Sequence, residues 1–78
     1  MSLSEQGWLD IFGDNLKWLL KDKNTTRQEL SEWAGITKGT ISKIINKKQM
    51  PDIFSIINIA NALDEDYEDL LYFEDSIR

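Results

Sequence analysis

The chain has 78 residues, a net charge of −5, and neither cysteine nor histidine. That length makes one small domain, residues 1–78; missing cysteine excludes disulfides and thiolate zinc sites, and missing histidine removes the usual general base and the commonest metal ligand. No run is apolar enough for a membrane span and MSLSEQGWLDIF lacks a signal-peptide pattern, so a cytoplasmic protein with no membrane partner is expected, while the acidic balance argues at first sight against a nucleic-acid partner.

The first predicted helix runs roughly from Trp8 to Lys23, with Phe12, Leu16, Leu19 and Leu20 as its apolar stripe and Asn24 at its end. Thr26 then caps a second helix, and Glu29 three residues later completes a capping box. That helix ends at Ala34–Gly35, where glycine can take a positive φ at no steric cost. Thr37 caps a third helix reaching about Asn46, and Asn46 is the expected left-handed residue of the following turn. Pro51 and Asp52 begin a fourth helix, with Ile56, Ile59, Ala60 and Leu63 as its stripe. Asp64 to Asp69 open a fifth, where carboxylates suit the positive end of a helix dipole. No alternating pattern suggests a strand, so the expected fold is all-α, a compact five-helix arrangement.

The stretch TRQELSEWAGITKGTISKII, residues 26–45, is the most informative. Leu30, Ala34, Ile36, Ile41 and Ile44 face one way, small Ser31 lets the second helix cross close to the first, and Gly35 supplies the turn. This is a helix-turn-helix pattern, whose second helix lies in the major groove of DNA. Charge distribution reverses the first impression from composition. Residues 1–14 hold three acids and no base, residues 15–50 hold eight bases against three acids, and residues 51–78 hold eight acids and one base. All but one of the basic residues therefore share a block with the helix-turn-helix, and salt isolates that field from distant acids within about 10 Å.

Together FGDNLKWLLKDKN, TRQELSEWAGITKGTISKI and NKKQMPDIFSIINIANALDEDYEDLL, in this order, resemble the Cro/cI-like (XRE-type) helix-turn-helix regulators of phages and bacteria. The resemblance covers about residues 11–71. It implies a five-helix lambda-repressor-like domain that binds operator DNA as a homodimer and controls transcription, most simply as a small phage- or prophage-type repressor. Three departures stand out. Arg27 replaces a frequent glutamine at the start of the second helix and still reaches phosphate. Lys47 and Asp64 replace frequent glycines after the third and fourth helices, with Asn46 and Asp64 expected to supply the geometry. Leu20 and Ile45 replace a frequent arginine–glutamate pair, and two packed hydrophobes at such positions are often neutral or stabilising; they are expected to meet between the first and third helices.

On the third helix Ile41, Ile44 and Ile45 point inward, leaving Lys38, Gly39, Ser42 and Lys43 outward. Lysine donates to guanine O6 and N7, serine reads a donor or an acceptor, and Gly39 permits close approach, so these four are the expected base contacts. Expected phosphate contacts are Arg27 and Gln28 at the start of the second helix, Thr37 and Thr40 at the start of the third, Asn46, Lys47 and Lys48 after it, and Lys17, with Lys23 further out. Leu70, Leu71, Tyr72, Phe73 and Ile77 make an apolar C-terminus, the expected dimer surface. Surplus tryptophans at 18 and 33 and the acidic C-terminal block fit a second class of function, a protein-interaction module such as an antitoxin or a regulator's partner, with DNA contact secondary. The DEDYED run lacks the glycine and final glutamate of a calcium loop. Nothing forms a nucleophile–base constellation or a phosphate loop, so no enzyme, cofactor, metal or small-molecule ligand is expected.

Overall fold

The computed structural model describes residues 4–71, which form five α-helices: α1 (Glu5–Asp22), α2 (Arg27–Ala34), α3 (Lys38–Ile45), α4 (Ile53–Ala62) and α5 (Tyr67–Leu71). The all-helical class follows the sequence pattern. α1 starts three residues earlier than Trp8, because Ser4 caps it, its hydroxyl accepting from Gly7 N–H at 3.0 Å, and Glu5 sits in the first turn. The capping box at α2 is complete: Thr26 Oγ1 accepts from Glu29 N–H and Glu29 Oε1 accepts from Thr26 N–H, each at 3.0 Å. Thr37 and Asp52 cap α3 and α4 in the same way.

Helix ends share a device. Gly35 is left-handed at φ 70° and closes α2. After α1, α3 and α4, the left-handed residues are Asn24, Lys47 and Asp64. In each case its own N–H bonds three residues back and the next N–H five residues back, as in Lys47 to Ile44 and Lys48 to Lys43, the Schellman pattern. Asn46 is therefore not the left-handed residue; its φ is −82° and Lys47 takes φ 64°. The reason is register. Ile45 must stay helical to remain buried, which moves the reversal two residues on. Asp64 supplies the left-handed geometry expected of it in place of a glycine after α4, at φ 55°, but it does not open the fifth helix, which begins only at Tyr67.

One apolar cluster joins the helices: Phe12, Leu16, Leu19 and Leu20 of α1, Leu30 and Ala34 of α2, Ile41, Ile44 and Ile45 of α3, Ile56, Ile59 and Ala60 of α4, with Leu63 and Leu70. Leu20 and Ile45 are both buried in this cluster, on helices that pack together. The fit of α1 on α3 is close at Gly13, where an added Cβ would stand 3.0 Å from Ile44 O and 3.1 Å from Ile45 O. Beside it Lys47 Nζ reaches Asp14 Oδ1 at 2.8 Å. Asn15, buried, donates from Nδ2 to Leu70 O at 2.8 Å and holds α5 against α1. Lys23 and Glu65, 3.1 Å apart, link the end of α1 to the α4–α5 turn. No described helix is long and apolar enough to cross a membrane.

Candidate nucleic-acid interface

The interface is built on the helix pair α2–α3. Ser31 does more than leave room at the crossing: its hydroxyl donates to Ile36 O and pins the turn. With Ile41, Ile44 and Ile45 buried on one side of α3, helical geometry sends Gly39 and Lys43 to the opposite side, flanked by Lys38 and Ser42. Lys38, Gly39 and Lys43 are exposed, and Ser42 is half-buried. A Cβ at Gly39 would meet nothing within 4 Å, so the face is open there and carries no side chain. Thr37 and Thr40 are joined at the helix start, the Thr37 hydroxyl donating to Thr40 Oγ1 at 2.9 Å and accepting from Thr40 N–H at 3.2 Å.

The basic side chains divide into two groups. Among the described residues, Lys23 and Lys47 are paired with carboxylates, while Lys17, Lys21, Arg27, Lys38, Lys43 and Lys48 make no ion pair. Lys47 belongs first to the fold: the hydrogen bond its ammonium donates to the Asp14 carboxylate holds its pKa above the ordinary 10.5. Lys23, an outlying expectation, is committed to Glu65. Lys48 and Asn46 are exposed beyond the end of α3, and Lys17 is exposed on α1. Asp64, Asp66 and Glu68 are exposed around the α4–α5 turn.

At the start of α2, Gln28 is exposed and donates to Glu32 at 3.3 Å. Arg27 is half-buried, and its Nη1 donates to Ser42 Oγ on α3 at 3.0 Å. The sequence placed these two residues in separate groups, and the structure brings them together across the helix pair. They are 15 positions apart, and no local pattern announces such a bond.

The expected dimer surface needs correction at Leu70, which is fully buried in the domain's own core. Leu71 is half-buried against that core, and Tyr72, Phe73 and Ile77 lie outside the described residues. A different apolar surface appears on α4. Its outward positions are Ile53, Phe54, Ile57, Asn58 and Asn61, apolar in the N-terminal half and amide in the C-terminal half. Phe54 is 73% exposed and Ile53 56%, with Met50 and Ile57 also exposed. Three large apolar residues at 53, 54 and 57, off the stripe formed by 56, 59, 60 and 63, are the sequence signal for this surface. Trp18 packs partly against the core, whereas Trp33 is 55% exposed.

A family model described as helix-turn-helix, HTH_3, matches residues 16–70. The chain is 32% identical over 65 residues to the HTH-type transcriptional repressor RghR of Bacillus subtilis, covering 82% of this chain and 48% of that protein. It is 34% identical over 61 residues to the uncharacterized HTH-type transcriptional regulator YqaE of the same organism, covering 78% of this chain and 53% of the relative. This chain thus spans about half the length of the curated relatives it matches. The fold is similar to that of the restriction-modification controller protein C.AhdI from Aeromonas hydrophila, with a TM-score of 0.77 at 22% identity, over 80% of this chain and 94% of that one.

Proposed function

We propose, for a chain that belongs to the HTH_3 helix-turn-helix family, that it binds double-stranded DNA sequence-specifically and regulates transcription. The observation that carries this reading is the two-sided α3: three isoleucines anchor one side in the core while Lys38 and Lys43 stand exposed and without ion pairs on the other. α3 enters the major groove, Lys38 and Lys43 reach base edges, and the open position at Gly39 permits close approach. Gln28, Thr37, Thr40, Asn46, Lys48 and Lys17 contact phosphates, and Lys47 joins them from its place beside Asp14. Two copies on a two-fold-symmetric operator, with half-sites about 34 Å apart, make a repressor that acts by occlusion. Their contact draws on the apolar half of α4, together with Leu71, Tyr72, Phe73 and Ile77.

Selection of bound duplexes from random DNA tests this directly. The expected product is a two-fold-symmetric motif, bound with a log–log salt slope near −5 if about six phosphates are neutralised per dimer. Equal affinity for every duplex would sink the reading. One observation favours a second reading, an antitoxin-like or regulator-partner module: the exposure of Trp33 together with Ile53, Phe54 and Ile57. Lys38→Ala with Lys43→Ala separates the two. Loss of function with self-association intact supports DNA reading, and unchanged function supports the interaction module.

A further inference from the structure

Among the described basic residues without an ion pair, Arg27 is the one whose side chain is held by a hydrogen bond to another helix. It stands first in α2, where the free N–H groups of a helix start favour an anion and a phosphate contact is the simplest expectation. Here part of that helix start is occupied from within. Thr26 Oγ1 takes the Glu29 N–H, and the Glu29 carboxylate folds back onto the Thr26 N–H. A phosphate approaching Thr26 meets the Glu29 carboxylate. The guanidinium itself is turned across to α3, where Nη1 donates to Ser42 Oγ at 3.0 Å.

Three further facts act together. Ser42 lies on the outward side of α3, one turn from Lys38 and three residues from Gly39, so the guanidinium sits on the groove-facing surface. Gly39 offers no side chain at the crest, and the space where its Cβ would be is open. The tether is a neutral hydroxyl, and among the described residues no carboxylate pairs with Arg27, so its positive charge is undiminished. A guanidinium has five donors in a rigid plane, and one is used by Ser42. The rest match the paired acceptors O6 and N7 of guanine.

We propose that Arg27 is a specificity-determining residue that reads a guanine edge beside Gly39, in place of the phosphate contact its position in the chain suggests, and that Ser42 is its positioning residue. This rests on the DNA-binding reading above. α3 contributes the two lysines and the open position at Gly39, and α2 supplies a planar donor held to the same helix at Ser42. Ser42 keeps its own hydroxyl hydrogen to donate, so it can add a bond to a neighbouring base while it steers the arginine.

The test takes the duplex selected by the wild-type chain and a set of variants with each base pair of the half-site changed symmetrically. Affinities of wild type, Arg27→Lys, Arg27→Ala and Ser42→Ala are measured across salt concentration, with circular dichroism confirming that each remains helical. The expected result is that Arg27→Ala abolishes discrimination at one G·C pair per half-site, a loss of about 5- to 150-fold there, with preferences elsewhere kept. Arg27→Lys retains charge and loses most of that discrimination, because an ammonium lacks the planar fork. Ser42→Ala weakens discrimination at the same pair by a smaller factor. A uniform loss on every duplex for Arg27→Ala, with the salt slope reduced by about 1, makes Arg27 a phosphate contact and overturns the proposal. A wild-type chain that prefers no duplex ends the DNA reading itself, and this proposal with it.

Discussion

Gly13 and Gly39 both lie inside helices, yet their surroundings are opposite. Around Gly13 the backbone of α3 presses in: an added Cβ would stand 3.0 Å from Ile44 O, 3.1 Å from Ile45 O and 3.1 Å from Lys47 Cγ. Around Gly39 the same construction meets nothing within 4 Å. The two glycines mark the two ends of α3, one closed and one open. The closed end is fixed by Ile44 and Ile45 in the core, by the missing side chain at Gly13, and by the Asp14–Lys47 pair. The open end displays Lys38, Gly39 and the Arg27–Ser42 bond. A helix of eight residues gains little from its own hydrogen bonds, so rigidity at the first end is what makes geometry at the second reproducible.

The largest effect that can break this contrast is Ile44→Ala, which removes a fully buried anchor. It is expected to cost about 2–5 kcal/mol, a large share of the stability of so small a domain, and urea unfolding reads it. A cost below 1 kcal/mol would show that the closed end is not what holds α3. Gly13→Ala comes next, at about 1–3 kcal/mol, because the neighbours it strikes are chiefly backbone carbonyls that must move. Gly39→Ala is expected to have the opposite sign, raising the melting temperature by a gain of up to about 1 kcal/mol, since space is free and alanine is the better helix former. If both glycine variants shifted stability in the same direction, the contrast would fail.

The smallest effect sharpens it. Asp14→Asn removes an exposed ion pair worth at most about 1 kcal/mol, and the difference from wild type should fade as salt approaches 1 M. Its pH dependence has a definite sign. The hydrogen bond to Asp14 raises the Lys47 pKa in the folded chain, so the contribution is complete below the ordinary 10.5 and disappears as pH climbs through the raised value. The difference between wild type and Asp14→Asn in unfolding, full at pH 8, should shrink as the pH is raised beyond 10.5.

What was legible in the sequence was local. Thr26 with Glu29 and Thr37 are caps that declare themselves within four residues, and both operate as expected, while Asp52, expected to begin the fourth helix, caps it instead. The isoleucine side of α3 followed from periodicity, and the shared burial of Leu20 and Ile45 from the resemblance, at positions where relatives often carry an ion pair. The errors came where distant packing outvoted local preference. Asparagine is the better left-handed residue, but burial of Ile45 fixed the length of α3 and put Lys47 in that conformation. Leu70 looked like a surface for a second copy until a carbonyl held by Asn15, 55 positions away, turned it inward. The Arg27–Ser42 bond is of the same kind, a long-range pairing invisible to spacing.

The unpaired cations of α3, set on a chain of net charge −5, also govern how a polyanion is met in solution. If the chain binds DNA as proposed, the molecule as a whole is repelled while its lysine side is attracted, so an approaching duplex exerts a torque before any atom touches. Collisions in the wrong orientation are then turned away and those that present the lysines are favoured.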